Sequence, residues 1–203
     1  MEASPAGSTA AQLKREQILR GALEIFLQNG YEGASMDRVA AAAGVSKITI
    51  YKHFQDKEGV FIALIEQVTA QRFETVFGGF DRDVKPAIAL RQLAQTLLDM
   101  MAVDEEYIAF LRLLIGESGR FPKLAQLFIQ ALPQKVWALL GNYFAAHPDI
   151  RSPHPEATAR LFMGVLISHV LTQKLLHGEA IAPIQQDLLI DALIETIVGV
   201  QTL

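Results

Sequence analysis

Residues 40–54 read AAAAGVSKITIYKHF, and this stretch decides the fold of the first part of the chain. Gly44 suits a tight turn, because glycine adopts a left-handed backbone without steric cost. Two residues later, Ser46 has the side chain of a helix N-cap. The stretch therefore predicts two helices joined by a short glycine-containing turn, which is a helix-turn-helix arrangement.

The residues before this stretch predict two helices of the same domain. From Leu13 onward, polar residues recur every three or four positions and apolar residues fill the opposite face, which indicates an amphipathic helix. Asn29-Gly30 is typical of its C-terminal end. Ser35 is expected to cap a second helix, whose apolar positions follow helical spacing. These positions are Met36, Val39, Ala40 and Ala43.

The third helix, which follows Ser46, presents one face to its own domain and another to solvent. At about 100° per residue, Ile50 and Phe54 point together and are expected to bury with Val45. The remaining side chains face outward or lie at the edges: Lys47, Ile48, Thr49, Tyr51, Lys52 and His53. The ordinary alternative is a solvated helix face with one stray aliphatic residue.

A fourth helix is expected to begin at Asp56-Lys57-Glu58, with Asp56 as its cap. A lysine in the first turn opposes the helix dipole. Lys57 is therefore better explained if an anion such as a phosphate docks beside it. The alternative is an ordinary exposed lysine offset by Asp56 and Glu58.

Residues 18–64 resemble the TetR family of transcriptional regulators. The resemblance spans four helices and ends in IYKHFQDKE at residues 50–58. It rests on Ile18, Ala22, Phe26, Gly30, Ser35, Val39, Ala40, Ala43, Gly44, Val45, Ser46, Ile50, Tyr51, Phe54, Lys57 and Glu58. The stretch RLLIGESGRFPKLAQLF, residues 112–128, also resembles the C-terminal region of AefR-like members.

The resemblance implies which side chains meet DNA. Base edges or nearby phosphates would be contacted by Lys47, Ile48, Thr49, Tyr51 and Lys52, with Ser46 at the start of the same helix. Phosphates would be contacted by Ser35, His53 and Lys57.

The rest of the chain reads as helices, with no alternation typical of strands. Prolines begin several of them, where the first helical turn tolerates proline. The predicted segments are Lys57–Phe77, Pro86–Met101, Glu105–Ser118, Pro122–Ala146 with a kink or split at Pro133, Pro155–His177 and Pro183–Val200. We expect a disordered tail at 1–11, a helix-turn-helix domain at 12–58 and a helical domain at 59–203.

Composition narrows the class of protein. Hydrophobic residues make up 51% of the 203 residues, which is enough for a large core. There is no cysteine, so disulfides and thiolate chemistry are excluded. No signal peptide is recognisable, and the longest apolar run, Leu161 to Leu171, is too short to cross a bilayer. These observations predict a cytoplasmic protein without a membrane partner.

No constellation of residues indicates an enzyme. The sequence contains no His-Glu-x-x-His, P-loop or Gly-x-Gly-x-x-Gly motif. His147 and His154 share one loop, but no carboxylates with ligand spacing accompany them. We therefore predict no catalytic residues, no metal and no cofactor.

The apolar stripes of the last two helices are wider than one core contact needs. A second copy of the chain is the simplest partner that would cover the remaining apolar surface. TetR-like proteins dimerise through the equivalent pair of helices. The expected interface consists of Leu161, Val165, Leu166, Leu189, Leu193 and Ile197. The alternative is that both helices are central in a monomeric bundle.

The resemblance also implies a ligand cavity in the C-terminal bundle. Methionine and aromatic side chains suit irregular ligands, and a histidine can orient them, although such residues are more often plain core. The candidates are Met100, Met101, Tyr107, Phe110, Leu114, Phe128, Trp137, Met163 and His169. Glu117 and Arg120, one turn apart, can pair with each other rather than with a ligand.

The sequence thus predicts an all-α protein with an N-terminal three-helix, helix-turn-helix DNA-binding domain. A C-terminal helical bundle for dimerisation and ligand sensing follows it. The predicted partners are double-stranded operator DNA, a second copy of the chain and a small, largely apolar effector that releases a repressor from its operator. The alternative is a helical interaction or lipid-binding module that does not bind DNA.

Overall fold

The computed structural model describes residues 10–150 and 152–199, and every regular element in those ranges is helical. This confirms the all-α class. The α-helices are α1 (Ala10–Gly33), α2 (Met36–Ala42), α3 (Lys47–Phe54), α4 (Lys57–Phe77), α5 (Pro86–Val103), α6 (Glu105–Glu117), α7 (Pro122–Ala131), α8 (Pro133–Ala146), α9 (Pro155–Val170) and α10 (Gln186–Val198).

The start and the end of α1 differ from the prediction. Of the tail predicted at residues 1–11, residues 1–9 lie outside the described residues, whereas Ala10 and Ala11 already belong to α1. The predicted end of α1 at Asn29-Gly30 is a break rather than a stop. Gly30 has φ 72°, and one further turn of helix follows it to Gly33.

Several helix boundaries follow the prolines. Helix α4 has the predicted bounds, and Pro133 does separate α7 from α8, because its ring and missing N–H interrupt the helix ladder. Pro183 was expected to start the last helix, but α10 begins only at Gln186. Helix α9 ends at Val170 in a π-helical segment, Leu171–Leu175, rather than at His177, whose left-handed φ of 57° ends the helical run.

The helix-turn-helix is built from local hydrogen bonds that the sequence signals. Ser35 Oγ accepts from Arg38 N at 3.3 Å and caps α2, and Ser46 Oγ accepts from Thr49 N at 3.1 Å and caps α3. Gly44 takes the left-handed turn conformation at φ 60°. The predicted caps and turn are therefore confirmed.

Helices α1 and α2 approach closely at Gly21. A Cβ atom on Gly21 would lie 2.7 Å from Ala43 N, so only glycine fits there. Gln17 Nε2 donates to Ala43 O at 2.6 Å and satisfies a carbonyl at the end of α2. These contacts hold the start of the turn against α1.

The chain forms two compact units. The first comprises the described residues up to Gln67 together with Leu113–Leu127, and the second comprises Val68–Arg112 together with the described residues from Phe128 onward. The expected domain boundary at 58/59 falls near the start of α4, whereas the observed division falls inside that helix. The segment Leu113–Leu127 belongs to the first unit although it lies far along the chain.

The second unit has a continuous apolar core. Helices α8 and α9 pack together, as do α5 and α10, around fully buried side chains such as Leu90, Leu140, Phe162 and Ile190. Arg72 and Asp104 form an ion pair of 2.6 Å, and the Arg72 guanidinium lies 4.9 Å from the Tyr107 ring. Within the described residues, no helix is both long and apolar enough to cross a membrane.

Candidate nucleic-acid interface

Helix α3 is amphipathic in the sense the sequence predicts. Ile50 and Phe54 are buried against the first unit, while Val45 before the helix is half-buried. On the other side, Ile48 has 81% of its surface exposed and Tyr51 has 43%. An aliphatic and an aromatic side chain therefore stand in water on a short helix whose other outward residues are polar.

The polar side chains of α3 divide into anchored and free groups. The hydroxyls of Ser46 and Thr49 lie 2.8 Å apart and are engaged at the helix start. Lys52 is exposed, and no ion pair joins it to any residue of the described ranges. His53 is half-buried beside the Phe54 ring.

Lys47 is tied to the preceding helix. Its Nζ lies 2.9 Å from Asp37 Oδ2 in the first turn of α2. The hydrogen bond to this carboxylate, and then its charge, raise the pKa of Lys47. Both side chains of the pair are exposed to solvent and accessible to a ligand.

Lys57 is not the unengaged cation that the sequence suggests. Its Nζ donates to Glu32 O at 2.9 Å and to Ala34 O at 3.1 Å, and it lies 4.8 Å from the centre of the Tyr31 ring. It thus caps carbonyls at the end of α1. An ammonium group has three N–H donors, so one donor is left for an anion.

The loop after α6 is part of the same unit. Glu117 Oε1 accepts from Tyr31 N at 3.0 Å, and the Phe121 ring packs edge-on to Tyr31 at 4.7 Å. Arg120 pairs with Glu32. The side chains of Glu117 and Arg120 therefore do not pair with each other, because each has a partner near the end of α1.

The expected pocket residues are scattered in the structure. Met101, Tyr107, Phe110 and Met163 are buried in the second unit, where Met100, Phe128 and Trp137 are half-buried. Leu114 is buried in the first unit instead. Trp137 lies 4.0 Å beneath the Arg160 guanidinium, and His169 faces an open surface groove.

This groove, of about 420 Å³, runs along α9 and reaches α10. It is lined by Arg160, Leu161, Gly164, Val165, Ser168, His169, Thr172, Ile184 and Leu189. Burial, and then the charge of Lys174, lower the pKa of His169. Burial in the groove therefore favours the neutral imidazole.

The expected interface residues fall into two groups. Leu161, Val165 and Leu189 line the groove, whereas Leu166, Leu193 and Ile197 are buried inside their own chain. The sequence pattern does not separate these groups, because both follow the same helical stripe. Other large apolar side chains exposed in this region lie outside the predicted interface set: Ile167, Leu171, Leu176, Ile181, Ile184 and Leu188.

Two family models match the chain. Residues 18–64 match bacterial regulatory proteins of the tetR family, and residues 88–200 match the C-terminal domain of AefR-like transcriptional repressors. The helix-turn-helix and the helical second unit together define a TetR-type transcriptional regulator. The chain belongs to the TetR family, with an AefR-like C-terminal domain, and this family consists of DNA-binding regulators rather than enzymes.

Several characterised proteins are similar to the chain. The repressor AcnR of Corynebacterium diphtheriae is 33% identical over 100 residues, which cover 49% of this chain and 46% of AcnR. The regulator RutR of Escherichia coli K12 is 27% identical over 171 residues, covering 71% and 80%. The matches to AcnR proteins thus span less than half of their length.

Solved structures agree with the fold along nearly the whole chain. A regulator assigned to the TetR family from Mesorhizobium loti has a TM-score of 0.75 at 28% identity, covering 93% of this chain and 96% of that one. The flavonoid-responsive regulator FrrA has a TM-score of 0.74 at 28% identity, covering 92% and 93%.

The position of Lys57 yields a stability prediction. Lys57→Met removes two charge-assisted hydrogen bonds to carbonyls, so we expect the free energy of unfolding to fall by about 1–3 kcal/mol. The matched variant Lys52→Met removes an exposed lysine and should change it by less than about 0.5 kcal/mol. Urea unfolding followed by circular dichroism measures both. Equal stability of the two variants contradicts a capping role for Lys57.

Proposed function

We propose that this protein is a TetR-type repressor that binds operator DNA as a homodimer in the cytoplasm and is released by a small, largely apolar effector. The observation that carries the proposal is the outward face of α3, with Ile48, Tyr51, Lys47 and Lys52 presented behind a capped tight turn. Membership in the TetR family and the AefR-like repressor domain support it.

The recognition step uses the geometry of the major groove. A B-DNA major groove is about 12 Å wide and admits one α-helix. Residues at the start of such a helix meet base edges, and those beside it meet phosphates. We assign base edges and nearby phosphates to Ser46, Lys47, Ile48, Thr49, Tyr51 and Lys52, and phosphates alone to Ser35, His53 and Lys57.

The assigned groups have the chemistry that these contacts need. Lysine donates to guanine O6 and N7, and an aliphatic group suits the 5-methyl of thymine. Ile48 is 81% exposed, and contact with a thymine methyl group would remove part of this apolar surface from water, which is favourable. Ser35 is exposed at the N-terminal end of α2, where hydroxyl and backbone N–H groups suit a phosphate.

Dimerisation uses the face of α9 and α10. Half of the 14 large hydrophobic side chains that are exposed in the described residues lie between Leu161 and Leu188. Such a concentration of exposed apolar side chains in one part of the chain favours a protein interface there. A two-fold dimer presents two copies of α3, which then read inverted half-sites about one helical turn apart.

The effector would bind within the second unit. The buried side chains available there are aromatic, aliphatic and thioether groups, with Tyr107 and the ion pair of Arg72 as polar partners. FrrA, a similar regulator, is described as flavonoid-responsive. Effector binding would favour a dimer whose two recognition helices no longer match successive major grooves.

Operator binding is tested by selecting bound sites from random duplexes and then replacing thymine by uracil, which lacks the 5-methyl group. The native protein should lose affinity at one position of each half-site, by about threefold for one methyl contact. Ile48→Ala should abolish this discrimination. Ile88→Ala, which changes an exposed side chain on α5, should retain it. The absence of salt-sensitive binding to any duplex contradicts the DNA-binding function and favours an interaction module.

The dimer is tested with Leu161→Glu. Leu161 is 67% exposed in the single chain, so its replacement leaves the fold intact but places a charge in the proposed interface. Sedimentation should show a folded monomer with weakened operator binding. The control Val103→Glu changes a residue that is 79% exposed on α5 and should remain dimeric. A dimeric Leu161→Glu variant contradicts this interface.

The sensor is tested by screening small apolar compounds against the protein and its selected operator. An effector at about 100 times its Kd should add about 2.7 kcal/mol to the stability of the protein. By linkage, the operator should weaken effector binding by the factor that the effector weakens operator binding. Trp137, the single tryptophan, reports binding by fluorescence. Equal effector affinity with and without operator contradicts induction.

A further inference from the structure

Asp37 is the one acidic residue between positions 33 and 55, a stretch that otherwise carries Arg38, Lys47 and Lys52. Its side chain is 72% exposed and lies in the first turn of α2. Nothing in the base-reading or phosphate-holding scheme above uses it. A carboxylate on a face that meets a polyanion needs an explanation, because it repels phosphates.

The carboxylate is engaged with the first residue of α3. Lys47 Nζ lies 2.9 Å from Asp37 Oδ2. The ammonium stands at a helix N-terminus, where the dipole disfavours a cation, so Asp37 acts as its counter-ion. The two side chains are 45% and 72% exposed, which leaves both accessible to a ligand.

Binding of Lys47 to a DNA phosphate breaks its ion pair with Asp37. When Lys47 moves to a phosphate, the Asp37 carboxylate is left without a cation beside the DNA backbone. The repulsion between the Asp37 carboxylate and the phosphates is relieved only where another hydrogen-bond donor takes the place of the lysine. In the major groove, such donors are the N4 amino group of cytosine and the N6 amino group of adenine. Random sequences do not present such a donor consistently, whereas an operator presents it at a fixed position.

We propose that Asp37 is a specificity-determining residue, which holds Lys47 back from non-specific phosphate contacts and releases it on the operator. Discrimination then arises from a repulsive element against the wrong partner as well as from attraction to the right one. This inference rests on the proposed DNA-binding function and adds a role for a residue outside the recognition helix.

The test measures Kd for the selected operator and for a random duplex of equal length at several salt concentrations. Asp37→Asn should strengthen random-duplex binding about three- to tenfold at low salt and leave operator binding within about twofold, so the specificity ratio falls. The salt slope for random DNA should steepen by about 2 for a dimer, one counterion for each subunit. Asp37→Glu retains the carboxylate and should therefore keep the native specificity ratio.

Two controls separate the role of Asp37 from a general effect of charge. Glu24→Gln makes the same change in net charge on the exposed side of α1 and should leave the specificity ratio unchanged. In a Lys47→Met background, Asp37→Asn should no longer strengthen random-duplex binding, because the lysine it releases is absent. Thermal unfolding checks that each variant is folded, and Asp37→Ser provides a second neutral side chain.

Three outcomes overturn the inference. The first is an equal gain in affinity for operator and random DNA, and the second is a loss of operator affinity with random binding unchanged. The third is an undiminished effect of Asp37→Asn in the Lys47→Met background. If the native protein shows no salt-sensitive binding to any duplex, the proposed function itself fails. If instead the native protein binds DNA and Asp37→Asn has the native specificity ratio, only the role of Asp37 fails.

Discussion

The close approach of α1 and α2 at Gly21 is the constraint on which the position of the recognition helix depends. Because a Cβ atom there would meet the Ala43 backbone, the end of α2 lies directly against α1. Gly44 then turns the chain, and α3 begins three residues later with a capped first turn. The outward face of α3 is therefore set by backbone packing beneath it, and this packing does not depend on the exposed side chains of Ile48 and Lys52.

Local chemistry made much of this unit predictable. The caps at Ser35 and Ser46, the turn at Gly44 and the burial of Ile50 and Phe54 follow from interactions between residues close in sequence. These signals depend on backbone hydrogen bonds and helical periodicity, which a single sequence displays. The start of α4 followed in the same way from the Asp56 cap, which accepts from Gly59 N at 2.8 Å.

Partners distant in the sequence were not predictable in this way. Lys57 donates to carbonyls 23 and 25 positions earlier, and Glu117 accepts from a backbone N–H 86 positions earlier. Backbone groups have no side-chain signature, so no residue type marked them as partners. Likewise, one apolar stripe on α10 contains both the core residue Leu193 and the groove residue Leu189, and only packing distinguishes them.

The membership of Leu113–Leu127 in the first unit has a consequence for synthesis of the protein. Chains emerge from the ribosome from the N-terminus, and units generally fold as they appear. Here the contacts of Tyr31 with Glu117 and Phe121 can form only after those residues have been made. The first unit therefore cannot complete its packing when only its first four helices are present. The nascent chain must extend to Leu127 before the first unit is complete, and Val68–Arg112 of the second unit have by then already been made.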